Sequence, residues 1–153
     1  MNNQEILHKE IELIQTCINR MANNSFLLKG WTVSLITVIL ALTNISLSKY
    51  AYLALFIPLI SFWYLDAFFL RKERMYREMY SWVLENRSKS DEHIYNLNPH
   101  RFDGSVKKIL SVFLSKTLLI FYGSLMFTLI IWILFIFKLE ILAKLKTLCL
   151  FIN

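Results

Sequence analysis

An acid set inside an apolar run is the most chemically pointed feature of this sequence. Asp66 lies within Ser61 to Arg77, SFWYLDAFFLRKERMYR, and the run ends in the cationic cluster Arg71, Lys72, Arg74 and Arg77. Ionisable side chains surrounded by hydrocarbon are costly, so each carries a functional hypothesis. Two bases occupy comparable settings, Lys29 near the start of one apolar run and Lys116 within another. On helices, Asp66 lies about 7 Å inside the boundary marked by Arg71, and Lys116 about 12 Å inside the one marked by Lys108. Asp66 is therefore expected to pair with Lys116 or Lys29 and to join apolar spans by charge. The alternative is that both lysines snorkel to headgroups while Asp66 is hydrated at the interface. Trp31 and Trp63, with Glu73, Arg74 and Arg77, are candidate interfacial or partner-docking positions.

Other chemistry finds little support. The three glycines form no phosphate-cradling loop, and GxSxG is absent. Cys17 and Cys149 stand far apart without metal-ligand spacing. Asp91, Glu92, His93, His100 and Asp103 crowd one polar stretch, but no HExxH-like spacing organises them. No enzyme, no cofactor and no metal site is expected. The net charge of +6 raises nucleic acid as a partner. Its basic residues flank apolar spans, however, which is the pattern of membrane topology rather than of specific nucleic-acid binding.

The elements that position these groups read as helices throughout. A hydrophobic content of 56% in 153 residues exceeds that of an ordinary soluble domain. The expected fold is an all-α integral membrane protein, a single domain over residues 1–153. From residue 4 to 24, Leu7, Ile11, Ile14, Ile18 and Met21 recur at spacings of four and three, giving an amphipathic helix with one apolar seam. Glu10 is assigned to its polar side. The seam requires a partner, either a cytoplasmic helix of the same chain or its copy in another subunit. Asn23, Asn24 and Ser25 suggest a break or a cap.

Residues 26–47 form the first expected span, and a short Ser48-Lys49 connection leads into a second at 50–70, making a tight hairpin. Pro58 falls in the second span and suggests a kink. That span is expected to continue as a cytoplasmic helix to about residue 88, with Met75, Tyr76, Met79, Tyr80 and Val83 on one side and Glu73, Arg74, Arg77, Glu78 and Glu85 opposite. A polar loop covers 89–108, with turn signals at Asn98-Pro99 and Asp103-Gly104. A third span follows at 109–137, and an amphipathic tail at 139–153.

Topology follows from charge. The first 30 residues carry three Lys or Arg and residues 71–108 carry nine, against Lys49 alone at the hairpin tip. The amino terminus and the middle segment are expected in the cytoplasm. Three crossings leave the tail outside, whereas a re-entrant third segment returns it inside. The start of the chain lacks a cleavable signal pattern, so the first span is read as an uncleaved anchor.

The stretches NRMANNSFLLKGW (Asn19 to Trp31) and FWYLDAFFLRKERMYREMY (Phe62 to Tyr80) resemble a group of small bacterial membrane proteins in which KGW and FWxLD followed by ExxxR recur. The matching positions are Lys29, Gly30, Trp31, Trp63, Asp66, Glu73 and Arg77. The resemblance implies an inner-membrane protein of bacterial antiphage defence, acting as effector or accessory, and supplies no catalytic residues. Two functions are therefore expected to compete. One is a homo-oligomeric effector that perturbs or permeabilises the bilayer, with anionic headgroups as partners. The other is a non-catalytic anchor that recruits a soluble protein.

Overall fold

The computed structural model describes residues 3–41, 54–90 and 92–152, and it is all helical there. Helix α1 runs from Asn3–Ala41, α2 from Phe56–Asn86, α3 from Ile109–Phe113 and α4 from Lys116–Ile152; a 3₁₀ turn at Pro99–Phe102 interrupts the polar loop. Two stretches, Gln4–Ala41 and Lys116–Leu139, are long and apolar enough to cross a membrane. At about 1.5 Å per residue, α1 is roughly 58 Å long and α4 roughly 55 Å, both well beyond a hydrocarbon core of about 30 Å. The Ser48-Lys49 connection, the end of the first expected span and the start of the second lie outside the described residues.

Three boundaries differ from the sequence reading. No break occurs at Asn23 to Ser25, because α1 continues through them. Each residue added to an existing helix gains a backbone bond, and α1 packs along α2 on both sides of this point, so the weak local preference of Asn is overridden. The run 109–137 is two helices rather than one. Ser115 stands at the N-cap of α4, where its carbonyl accepts the Leu119 amide at 2.8 Å, while its hydroxyl makes no cap bond. Residues 113–116, at the break itself, include neither Pro nor Gly, so tertiary contacts rather than local chemistry set it. The tail is not a separate helix either, since α4 continues without interruption to Ile152. Pro58 falls in the first turn of α2, where an absent N–H removes no intrahelical bond.

Helices α1 and α2 pack antiparallel, and their contact holds two apolar cores. In one, Ile14 meets Tyr76, Met79 and Val83, with Leu7, Ile11, Ile18 and Met21 packed around them. The amino-terminal seam thus finds its partner on α2 of the same chain. In the other, Ile36 from α1, Leu59, Trp63 and Ala67 from α2, Val112 from α3, and Leu118, Tyr122 and Leu129 from α4 form one cluster. Around this second core the outer surface is apolar too, with Phe26, Trp31 and Val38 on α1, Ile57 and Ile60 on α2, and Ile120, Phe127 and Leu134 on α4 all exposed. A lipid environment accounts for such a belt, since lipid-facing and buried side chains are equally apolar.

The loop before α3 is fastened to α2 by Arg71. Its guanidinium pairs with Asp103 at 2.8 Å and donates to the Lys107 carbonyl at 3.0 Å. Asn98 caps the 3₁₀ turn by accepting from the His100 amide at 3.1 Å. These contacts aim α3 and α4 back along the apolar end of α2, where the site described next is assembled.

Candidate functional site

Asp66 is wholly buried, and side chains from two other helices reach it. It sits on α2 between Trp63 and Ala67, three residues after one and one before the other, so helical periodicity places it on the inward stripe. From α1, the Lys29 ammonium lies 2.6 Å from Asp66 Oδ2, and the Ser25 hydroxyl donates to Asp66 Oδ1 through a short hydrogen bond. Lys29 also donates to Ser25 Oγ at 2.8 Å, so base, hydroxyl and acid close a ring. From α4, the Tyr122 hydroxyl lies 3.1 Å from Asp66 Oδ2 and 3.4 Å from the Phe62 carbonyl. Its one proton goes to the nearer, charged acceptor. Thr32, fully buried on α1, stands beside the same phenol and donates to its own helix at the Leu28 carbonyl.

Trp63 positions the phenol. Its ring stacks between Phe113, with centroids 4.4 Å apart, and Tyr122, 5.5 Å apart. Its indole N–H donates to the Phe113 carbonyl at 3.0 Å. That carbonyl is one of those which a helix end leaves without an intrahelical partner, so the break between α3 and α4 supplies the acceptor that orients Trp63. The sequence reading had placed Trp63 at an interface or docking surface. It is buried instead, because the aromatic face and the N–H both find partners inside the chain.

The other candidate residues separate. Lys116 is exposed at the start of α4 and has no acidic partner among the described residues, so the acid and the two bases do not form one cluster. The inner stripe of α4 runs through Leu118, Tyr122 and Leu129, and a residue two positions before Leu118 points about 160° away from it. Trp31 is exposed on the apolar belt. Glu73 is buried against expectation and accepts from Arg77 Nε at 2.9 Å and Nη2 at 2.6 Å one turn away. Arg77 itself remains largely exposed, and Arg74 is half-buried.

A second ionic centre lies at the opposite end of the helix pair and had no counterpart in the sequence reading. Glu10 and Arg87 are both buried, and the guanidinium grips the carboxylate through Nε and Nη2, each at 2.7 Å. Arg87 Nη1 donates to the carbonyls of Ser90 at 3.1 Å and Glu92 at 2.9 Å. The sequence pattern sets Glu10 on the polar side of the helix, yet it lies three residues after Leu7 and four before Ile14, on the seam itself. That spacing was the available signal.

Among the described residues, no group of three or more His, Cys, Asp or Glu could hold a metal ion. In the polar loop, His93 lies beside Trp82, His100 is 3.0 Å from Lys72, and Asp103 pairs with Arg71. Asp91 lies outside the described residues. The arrangement around Asp66 is thus a joint between three helices, built from one charge pair and two hydroxyls. Comparison with protein-family models, curated proteins and solved structures returns no match.

Proposed function

We propose that the chain is an inner-membrane effector of bacterial antiphage defence, acting as a homo-oligomer to perturb or permeabilise the bilayer, with the Asp66 joint controlling how its spans pack. In this reading there are three crossings, the amino terminus is cytoplasmic, and the basic residues around Arg71 face anionic headgroups. The observation that carries it is the buried Asp66 carboxylate held by Lys29, Ser25 and Tyr122 from two other helices. Buried charge in a lipid-facing bundle is expensive, and one that links three elements offers a switch: altering a single partner changes the packing of all three.

Induced expression in cells loaded with a membrane-potential dye tests the reading. Depolarisation is expected with the unaltered chain and is lost in Asp66→Asn at matched membrane abundance. An intact potential under every activating condition, including infection, would sink the effector.

The exposed Leu84 and Tyr95, on and just beyond the far end of α2, favour a second reading, a non-catalytic anchor that recruits a soluble protein. Under it the potential stays intact, and charge substitutions at those two positions release a copurifying partner.

A further inference from the structure

Beyond the buried Glu10–Arg87 pair, Trp82, His93, Arg101 and Phe102 wall a cavity of about 190 Å³. The Arg101 guanidinium lies 4.4 Å over the Trp82 ring and 4.9 Å over the Phe102 ring, so cation–π contact holds its plane. Its Nε and Nη2 are buried and have no hydrogen-bond partner among the described residues. Those two donors form one edge of the guanidinium, the edge that grips paired oxygens of a phosphate or carboxylate.

Among the described residues, the nearby acids do not answer this cation. Glu10 gives both oxygens to Arg87. Glu92 is 71% exposed and turns toward His93 at 3.5 Å. Burial, first of all, pushes the Arg101 guanidinium below its ordinary value, with Arg87 adding to the effect and Glu10 and Glu92 opposing it. Glu10, Arg87 and the half-buried Arg101 together sum to one positive charge. The wall opposite is held in place at some conformational cost, because His93 adopts a φ of 62° and Tyr95 a φ of 57°, both in the left-handed region. That conformation brings the His93 ring to 6.3 Å from Trp82.

We propose that this cavity binds the phosphate group of a small soluble ligand, with Arg101 as its gripping residue and Trp82 and His93 as its walls. Nε and Nη2 are closed to solvent where the guanidinium stacks on the rings, so binding requires Arg101 to turn on its stem and bring that edge to the anion. Trp82 lies eleven residues beyond Arg71 on α2, about 16 Å along the helix axis. A headgroup layer adds only about 5–8 Å to each side of the hydrocarbon, so the ligand is soluble rather than a lipid. The choice of a soluble ligand rests on the membrane placement of Arg71 in the effector reading, whereas the site itself does not depend on effector activity.

The test uses the full chain in micelles with 5-fluorotryptophan at its four tryptophan positions, the Trp82 resonance being assigned with Trp82→Phe. Inorganic phosphate, titrated at constant ionic strength, is expected to shift the Trp82 resonance saturably and leave the other three unmoved. Arg101→Met raises the half-saturation concentration at least about tenfold, and Arg101→Lys gives an intermediate value. The three unmoved resonances verify that both variants are folded. No saturable shift in the folded chain, or equal half-saturation in Arg101→Met, overturns the site. In a second arm without phosphate, nanodiscs containing phosphatidylglycerol are expected to leave Trp82 where phosphatidylcholine leaves it. A shift there in place of the phosphate response overturns the assignment to a soluble ligand.

Discussion

Lys29 Nζ and Asp66 Oδ2 stand 2.6 Å apart across the α1–α2 contact, the Asp66 side chain wholly buried and the Lys29 side chain 29% exposed. A pair of this kind couples strongly, because removing one member leaves the other charged and unanswered in a medium that solvates it poorly.

A double-mutant cycle on Asp66→Asn and Lys29→Met should accordingly give a coupling energy of about 1–3 kcal/mol in thermal unfolding of the detergent-solubilised chain. The equivalent cycle with Lys116→Gln should give no more than about 0.5 kcal/mol, since Lys116 is exposed and has no acidic partner among the described residues. Equal coupling in both cycles would contradict the assignment of Lys29 as partner.

Tyr122→Phe removes one hydroxyl and leaves the ring stacked on Trp63. The loss of its hydrogen bond to Asp66 should lower stability by about 1–2 kcal/mol. Trp63 fluorescence should change little, as the aromatic stack persists. A large spectral change would indicate that the phenol oxygen, rather than the stack, holds the ring in place.

The Glu10–Arg87 pair joins the far ends of α1 and α2. Glu10→Gln should cost about 3–5 kcal/mol, because it strands a buried guanidinium. The double replacement Glu10→Leu with Arg87→Met should recover most of that loss, which the unfolding midpoint reports. The recovery stays incomplete because Arg87 also holds the Ser90 and Glu92 carbonyls.

Acid should loosen the loop before α3. The hydrogen bond from Arg71 holds the Asp103 carboxyl below its ordinary value of 3.8, burial opposing and the charges of Arg71, His100 and Lys72 assisting. Its folded-state pKa lies below the unfolded one, so its contribution is complete above the unfolded value and disappears as pH falls through the folded one. Asp103→Asn should therefore lower the unfolding midpoint slightly near neutral pH and make progressively less difference as the pH falls below the ordinary carboxyl value of 3.8. A difference that persists unchanged in acid would exclude this carboxylate as its source.

Much of this fold is legible in the sequence. The seam Leu7, Ile11, Ile14, Ile18 and Met21 and the stripe Met75, Tyr76, Met79 and Val83 announce two helices with complementary faces, and the structure packs one on the other. Asp66 is legible as a group that needs a partner or water, since a charge within an apolar run is costly. Its partners are less so. Lys29 and Lys116 fall at similar expected depths, and depth along separate helices does not distinguish them. Rotation about the helix axis does, and it turns Lys116 outward while bringing Tyr122 inward.

What the sequence determined by itself is the set of properties that depend on neighbours along the chain: helical periodicity, an ionisable group within an apolar run, and three expected spans, where the described residues contain two helices long and apolar enough to cross a membrane. Only the tertiary structure decided that α1 continues through Asn23 and Asn24, that the chain breaks at Ser115, and that Glu10 faces Arg87 and Trp63 faces Phe113. Each of these depends on groups distant in sequence, and a preference of a few tenths of a kilocalorie per residue, the scale of local propensity, yields to buried ion pairs and apolar contacts of several times that size.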